Sequence, residues 1–189
     1  MKMLGDDLSA FFLPQAIILV EGLSDQAFLR KILSLEFPNV ELSIVDCGGE
    51  GNISKFFHQL LSLLPDFDHS PYRTRTLIVL DAANGAKDGS FTRSGLPTTH
   101  IARLKMNGIE YYYPRHLLAQ VFGVAKVSEE EIILENENIK IGGVTKNKVK
   151  VAEQIVATLD SSVEVDDEIL DKIIKPIRNM LGGIRNCES

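Results

Sequence analysis

Cysteine is nearly absent: the 189 residues hold two, Cys47 and Cys187, too few for a disulfide framework and without zinc-ligand spacing. Cys47, at the end of a predicted strand, reads as a small buried apolar residue. No apolar run approaches the roughly 20 residues that cross a bilayer. The opening MKMLGDDLSAFFLP sets two acids before a short apolar patch, unlike a secretory leader. A cytoplasmic protein without a membrane segment is therefore expected. Lysine and arginine (20) are outnumbered by aspartate and glutamate (26), leaving a net charge of -6, which argues against indiscriminate binding to nucleic acid through net charge. Internal repeats and low-complexity linkers are missing. So is a P-loop: the one glycine-rich turn, Gly48-Gly49-Glu50-Gly51, is followed by no Lys-Ser or Lys-Thr pair.

What the sequence does contain is one motif repeated in outline. Ala16 to Val20 form an apolar run that meets Glu21-Gly22, after which Phe28, Leu29, Ile32 and Leu33 recur at helical spacing. Leu77 to Leu80 form a second apolar run, ending at Asp81. Each reads as a buried strand with a carboxylate at its carboxyl end, where open α/β sheets place their ligand crevice. Two such acids on neighbouring parallel strands converge as a divalent cation requires, because hard cations bind carboxylate oxygens.

Between these runs, VELSIVDCGG predicts another strand, and its glycine turn could offer backbone N–H groups to a phosphate at the start of the following helix. Further on, the spacing predicts a helix over Thr98 to Asn107, a fourth strand over Ile109 to Tyr113, and a helix through HLLAQVFG ending at Gly123. Glu129 to Leu134 read as a short helix followed by loop. Helices over Lys146 to Leu159 and Asp167 to Leu181 close the chain, with Pro176 expected to kink or divide the second. Lys140, Lys146, Lys148 and Lys150 have no acid among them, which leaves open a local phosphate-binding face or a solvated helix face. The expected organisation is a lead-in helix over 1–14, an α/β core over 15–125 and a helical C-terminal extension over 126–189. The core is a four-stranded parallel sheet flanked by helices.

Together VEGLSDQAFL, VDCGGEGN, LIVLDAANG, YYYPR and KNKVKVA resemble the TOPRIM domain, most closely the version in OLD-family (overcoming lysogenization defect) endonucleases, over roughly residues 5 to 160. That resemblance implies a Rossmann-like TOPRIM fold and metal-dependent cleavage of nucleic-acid phosphodiesters, DNA in preference to RNA, in a setting such as phage defence. It implies Mg²⁺ or Mn²⁺ held by Glu21, Asp25 and Asp81, with Glu21, Asp81 and Lys148 as the catalytic group and Lys148 offsetting charge on the phosphate. Asp25 stands in the family's Glu-x-x-x-Glu position, where a helix-dipole role is equally open. An ABC-type ATPase module, in cis or in trans, and a homodimer are further implied partners. In two places the sequence departs from the family. Ala83 stands where the second acid of Asp-x-Asp belongs, with Asp88 a substitute only if the loop folds back. The acid expected after the fourth strand is also missing, since none lies between Glu110 and Glu129, so that role is unfilled or passes to Glu129. A catalytically silent module that binds nucleic acid or a partner ATPase is the alternative. A flavodoxin-like receiver, with Asp81 as the functional acid and the glycine turn as phosphate cradle, is a more distant one.

Overall fold

A computed structural model describes residues 14–63, 66, 69–82 and 88–185. The expected lead-in helix lies outside them, as does Ala83. The first strand, β1 (Ala16–Val20), is central: it pairs in parallel with β2 (Leu42–Asp46) on one side and β3 (Thr76–Leu80) on the other, and β4 (Ile101–Arg103) completes the order β2-β1-β3-β4. Pairing of Val20 with Asp46 and of Leu80 with Arg103 brings the strands to a common carboxyl edge. Whatever follows each strand emerges there.

Alternate residues of the strands feed two cores. On one face Ile18, Val20, Leu77 and Val79 pack with Phe28, Leu29 and Leu33 of α1 (Leu23–Glu36), joined by the C-terminal helices. On the other, Leu19, Ile78 and Leu80 pack with Ile53 and Phe57 of α2 (Glu50–Leu63) and Phe91 of α3 (Asp88–Arg93). A central parallel strand buried on both faces has no polar alternation to show. This is why the five residues of β3 are all buried.

The segment around the fourth strand differs from the expectation. Thr98–His100 is a single 3₁₀ turn, Ile101–Arg103 is β4, and Ile109–Tyr112, read as strand, is 3₁₀. Ile101 and Leu104 fit helical spacing equally well, but the open edge of β3 supplies the hydrogen bonds that decide for strand. Helix α4 (Arg115–Phe122) ends as read, with Gly123 left-handed at φ 69°.

The acidic segment is not helical either. Strands β5 (Ile133–Glu135), β6 (Asn138–Ile141) and β7 (Val144–Asn147) form an antiparallel sheet of their own. Gly142 and Gly143, both at positive φ, make the two-residue turn between β6 and β7. Helix α5 (Lys148–Thr158) follows directly, capped by the Asn147 side chain, which accepts from the Val149 and Lys150 N–H groups at 3.1 and 3.3 Å. The last helix runs from α6 (Asp167–Ile169) through a π turn (Leu170–Ile174) into α7 (Lys175–Arg185). Pro176 does not break it; the wider turn immediately before accommodates a ring that would otherwise strike the preceding carbonyl. Among the described residues no helix is long and apolar enough to cross a membrane.

Candidate active site

The carboxyl edge of the sheet opens into a cavity of about 400 Å³ whose lining includes Glu21, Asp25, Asp81, Glu110 and Lys148, and also Asp46 and Glu137. Glu21 follows β1 and reaches sideways: its Oε1 accepts the Asp81 N–H at 2.8 Å, tying the ends of two neighbouring strands. Its carbonyl accepts the Gly49 N–H at 2.6 Å, holding the next turn against the same edge. Asp25 is the third residue of α1, and its Oδ2 accepts the Gly22 N–H at 3.0 Å, as the acid of a capping box does. Asp81 hangs from the end of β3, its carbonyl held by Arg103 Nη1 at 2.6 Å. Lys148 comes from a different layer altogether, the first residue of α5, whose N–H donates to the Glu137 carbonyl at 2.8 Å.

Glu110 was not expected here. With the fourth strand displaced to Ile101–Arg103, Glu110 becomes an acid that follows it, and it is turned inward to 1 % exposure. Its Oε1 is buried without a hydrogen-bond partner. Gly108 makes the turn possible: at φ 144°, a Cβ there would stand 2.6 Å from Glu110 Oε2 and 2.5 Å from Leu134 Cδ1. Glu129, the sequence's substitute, does not line the cavity; it is an exposed surface acid 3.8 Å from Arg115 Nη2.

Carboxylates crowded into so confined a space resist ionisation together. Burial, then the charges of Glu110 and Glu21, pushes Asp25 up to about 7. Asp81 is pushed up to about 8 by burial and by Asp25, Glu21 and Glu110, against the opposing pull of Lys148. The Tyr113 hydroxyl, fully buried beside them, is likewise raised by burial and by Glu110 and Asp25.

Two sequence expectations need correction. The glycine turn is no phosphate cradle, since the Gly48 N–H goes to Asp46 Oδ1 at 2.9 Å and the Gly49 N–H to the Glu21 carbonyl. The lysines of 140–150 form no common face: Lys146 Nζ donates to the Val121 carbonyl at 2.6 Å and lies over the Phe122 ring, whereas Lys148 lines the cavity. The three expected ligands line one cavity, but among the described residues no group of three or more Asp, Glu, His or Cys is drawn together closely enough to hold a metal ion. Glu21 and Asp25 instead accept backbone N–H groups.

The donor set still fits a hard divalent cation. Its atoms are carboxylate oxygens, one of them buried and unpartnered, and their mutual repulsion is what a bound cation would relieve. Such binding is general among TOPRIM domains.

A family model described as the Overcoming lysogenization defect protein-like, TOPRIM domain matches residues 12–81. No curated protein matches the chain, and no solved structure does. The matched stretch runs from β1 to Asp81 and includes Glu21 and Asp25, while geometry alone adds Glu110 and Lys148 to the cavity. The match spans the first three strands of the four-stranded parallel sheet and, with the acids at its carboxyl edge, supports a TOPRIM domain of the OLD type over residues 12–81.

Proposed function

We propose that this domain cleaves phosphodiester bonds of nucleic acid, DNA in preference to RNA, with Mg²⁺ or Mn²⁺ as cofactor. The observation that carries the reading is the meeting of Glu21, Asp25, Asp81 and Glu110, from three sheet-edge segments, with Lys148 around a single cavity that Asp46 and Glu137 also line, Glu110 being buried with an unpartnered oxygen. Glu21, Asp25, Asp81 and Glu110 would hold the cation. When bound, it would supply Lewis-acid polarisation of the phosphoryl group. Lys148, which lines the same cavity and whose charge acts on Asp81, would offset the charge that develops on the phosphate. Glu21 is better suited to hold a cation than to take a proton, because a nearby positive charge weakens a carboxylate as a base. Asp25 and Asp81, pushed up to about 7 and about 8, hold protons near neutrality and release them when a cation replaces them. With no P-loop in the chain, ATP-driven control would come from an ATPase module elsewhere in the polypeptide or in a separate subunit.

Ala83 favours one second reading, a silent module that binds nucleic acid or a partner without cleaving. Nicking of supercoiled plasmid in Mn²⁺ separates the two, using the chain as it stands, Glu21→Gln and Ala83→Asp. Gln at 21 keeps the oxygen that accepts the Asp81 N–H but loses the charge. Nicking by the chain, lost in Glu21→Gln, supports cleavage. Nicking only after Ala83→Asp supports the silent module. Activity in none of them sinks the nuclease reading for this domain.

A further inference from the structure

A second, larger concavity of about 940 Å³ lies on the open side of β4, between that edge strand and the C-terminal helix. Its strand wall includes Arg75, which precedes β3, and Arg103, which ends β4; its helix wall includes Lys172, Lys175 and Asp171. Parallel pairing puts Arg103 level with Leu80, so these arginines stand at opposite ends of a five-residue strand, about 17 Å apart at 3.3 Å per residue. Lys172 and Lys175 are three apart on a helix and share a face. Four cations against one acid give this cleft a net charge of +3 (4 - 1), in a chain whose total is -6.

Of these two lysines, Lys175 has the weaker existing partner. Lys175 pairs with Asp171 at 2.5 Å and both are exposed by more than half; Lys172 pairs with Glu168 at 2.6 Å and also donates to the Arg103 carbonyl. An exposed pair such as Lys175–Asp171 contributes about 0–1 kcal/mol, so a phosphate can take its place at Lys175, whereas Lys172 is held by a largely buried Glu168 that also accepts from the Tyr112 hydroxyl and the Lys105 N–H. His100, also in the wall, has a buried Nδ1 without a hydrogen-bond partner. The cleft adjoins the carboxylate cavity at Arg103, which lines the cleft and whose Nη1 holds the carbonyl of Asp81, a residue of the cavity.

We infer that this cleft is a track for single-stranded DNA, leading one strand away from the carboxylate cavity along the β4 edge. This rests on the phosphodiester reading above. A basic groove that follows the phosphate backbone is the electrostatic part of how single strands are held without sequence preference. An acidic protein segment would satisfy the charge but would have no reason to meet the cavity at Arg103.

The test is binding of a labelled oligo-dT strand to the full chain, in Ca²⁺ and over a range of salt. Arg75→Glu/Lys175→Glu should bind at least about tenfold more weakly, with a salt slope shallower by about 1–2. Asp171→Asn, which removes the one acid of the wall, should bind severalfold more tightly and needs no charge reversal to do so. Unchanged affinity and slope in both variants would overturn the track while leaving nicking, and the nuclease reading, intact. Binding of a glutamate-rich peptide that outcompetes the oligonucleotide at this cleft would overturn it in favour of a protein partner. A chain that neither binds the strand nor nicks plasmid loses both proposals together.

Discussion

Replacing Glu110 by glutamine should make the metal-free protein more stable and the metal-loaded protein less so. The carboxylate is 1 % exposed and has an oxygen without a partner. Its charge is the largest cause after burial of the rise in Asp25 from the ordinary 3.8 to about 7, a rise worth roughly 4 kcal/mol. Burial takes the greater share and Glu21 part of the rest, which leaves Glu110 on the order of 1 kcal/mol of repulsion at Asp25. Its effect on Asp81 comes last among the charges that raise that group and adds less. Relief of about 1 kcal/mol should lift the melting temperature of Glu110→Gln by about 2–4 °C at pH 8 in EDTA. Saturating Mn²⁺ should reverse the order, because a ligand that binds only the folded state contributes about 2.7 kcal/mol at a hundred times its Kd and the variant has lost a donor. Thermal melts of both proteins with EDTA and with Mn²⁺ decide the matter. A variant that melts below the parent in EDTA, or that gains as much from Mn²⁺, would refute the account of these four acids as a charge cluster awaiting a cation.

The folded-state values of Asp25 and Asp81 both lie above the unfolded 3.8, so from about pH 4 to pH 8 the folded chain holds more protons than the unfolded one. Its metal-free stability should therefore fall as pH rises through that window, as urea denaturation in EDTA at pH 5 and pH 8 will measure. Gly108→Ala should cost about 2–4 kcal/mol, since it sets a Cβ at positive φ against Leu134 and Glu110; the urea midpoint reports it. Lys148→Ala should leave the fold in place, because Asn147 still caps α5, and should slow Mn²⁺-dependent plasmid nicking about a hundredfold. It should also raise Asp81 further, seen as a displaced carboxyl titration by NMR.

The parts of the fold that could be read from the sequence were those where one signal dominated. The apolar runs 16–20 and 77–80 had no rival reading, and the acids behind them stand at one edge as expected. Legibility failed where two signals competed. Ile101, Ala102 and Leu104 suit helix or strand alone, and only the open edge of β3 decides. The triple tyrosine invited a strand, and that misplaced strand hid Glu110 from the search for an acid after it. Asn138 to Ile141 and Val144 to Asn147 are short runs flanking Gly142-Gly143, a hairpin signal that the block of glutamates just upstream obscured. Glu110 itself left one trace in the sequence: a lone acid between Gly108-Ile109 and three tyrosines is an expensive residue to bury, and such residues mark sites.

The acids of this site differ in what else they do, and that determines which of them can report on chemistry. Glu21 accepts the Asp81 N–H and so splices β1 to β3; Asp25 closes the first turn of α1 through the Gly22 N–H. Alanine at either position removes a hydrogen bond that the fold uses, and the resulting loss, about 0.5–2 kcal/mol for a cap, would be confounded with any loss of cation binding. Glutamine and asparagine keep an acceptor oxygen in place and are the informative substitutions there. Glu110 is different in kind. Its Oε1 takes part in no hydrogen bond, and it lies buried among other carboxylates, behind a glycine turn that admits no side chain. A group that costs stability and caps nothing is hard to explain as scaffolding. Its place in the cavity is explained by a ligand that brings positive charge, and removing it perturbs that ligand more than the fold.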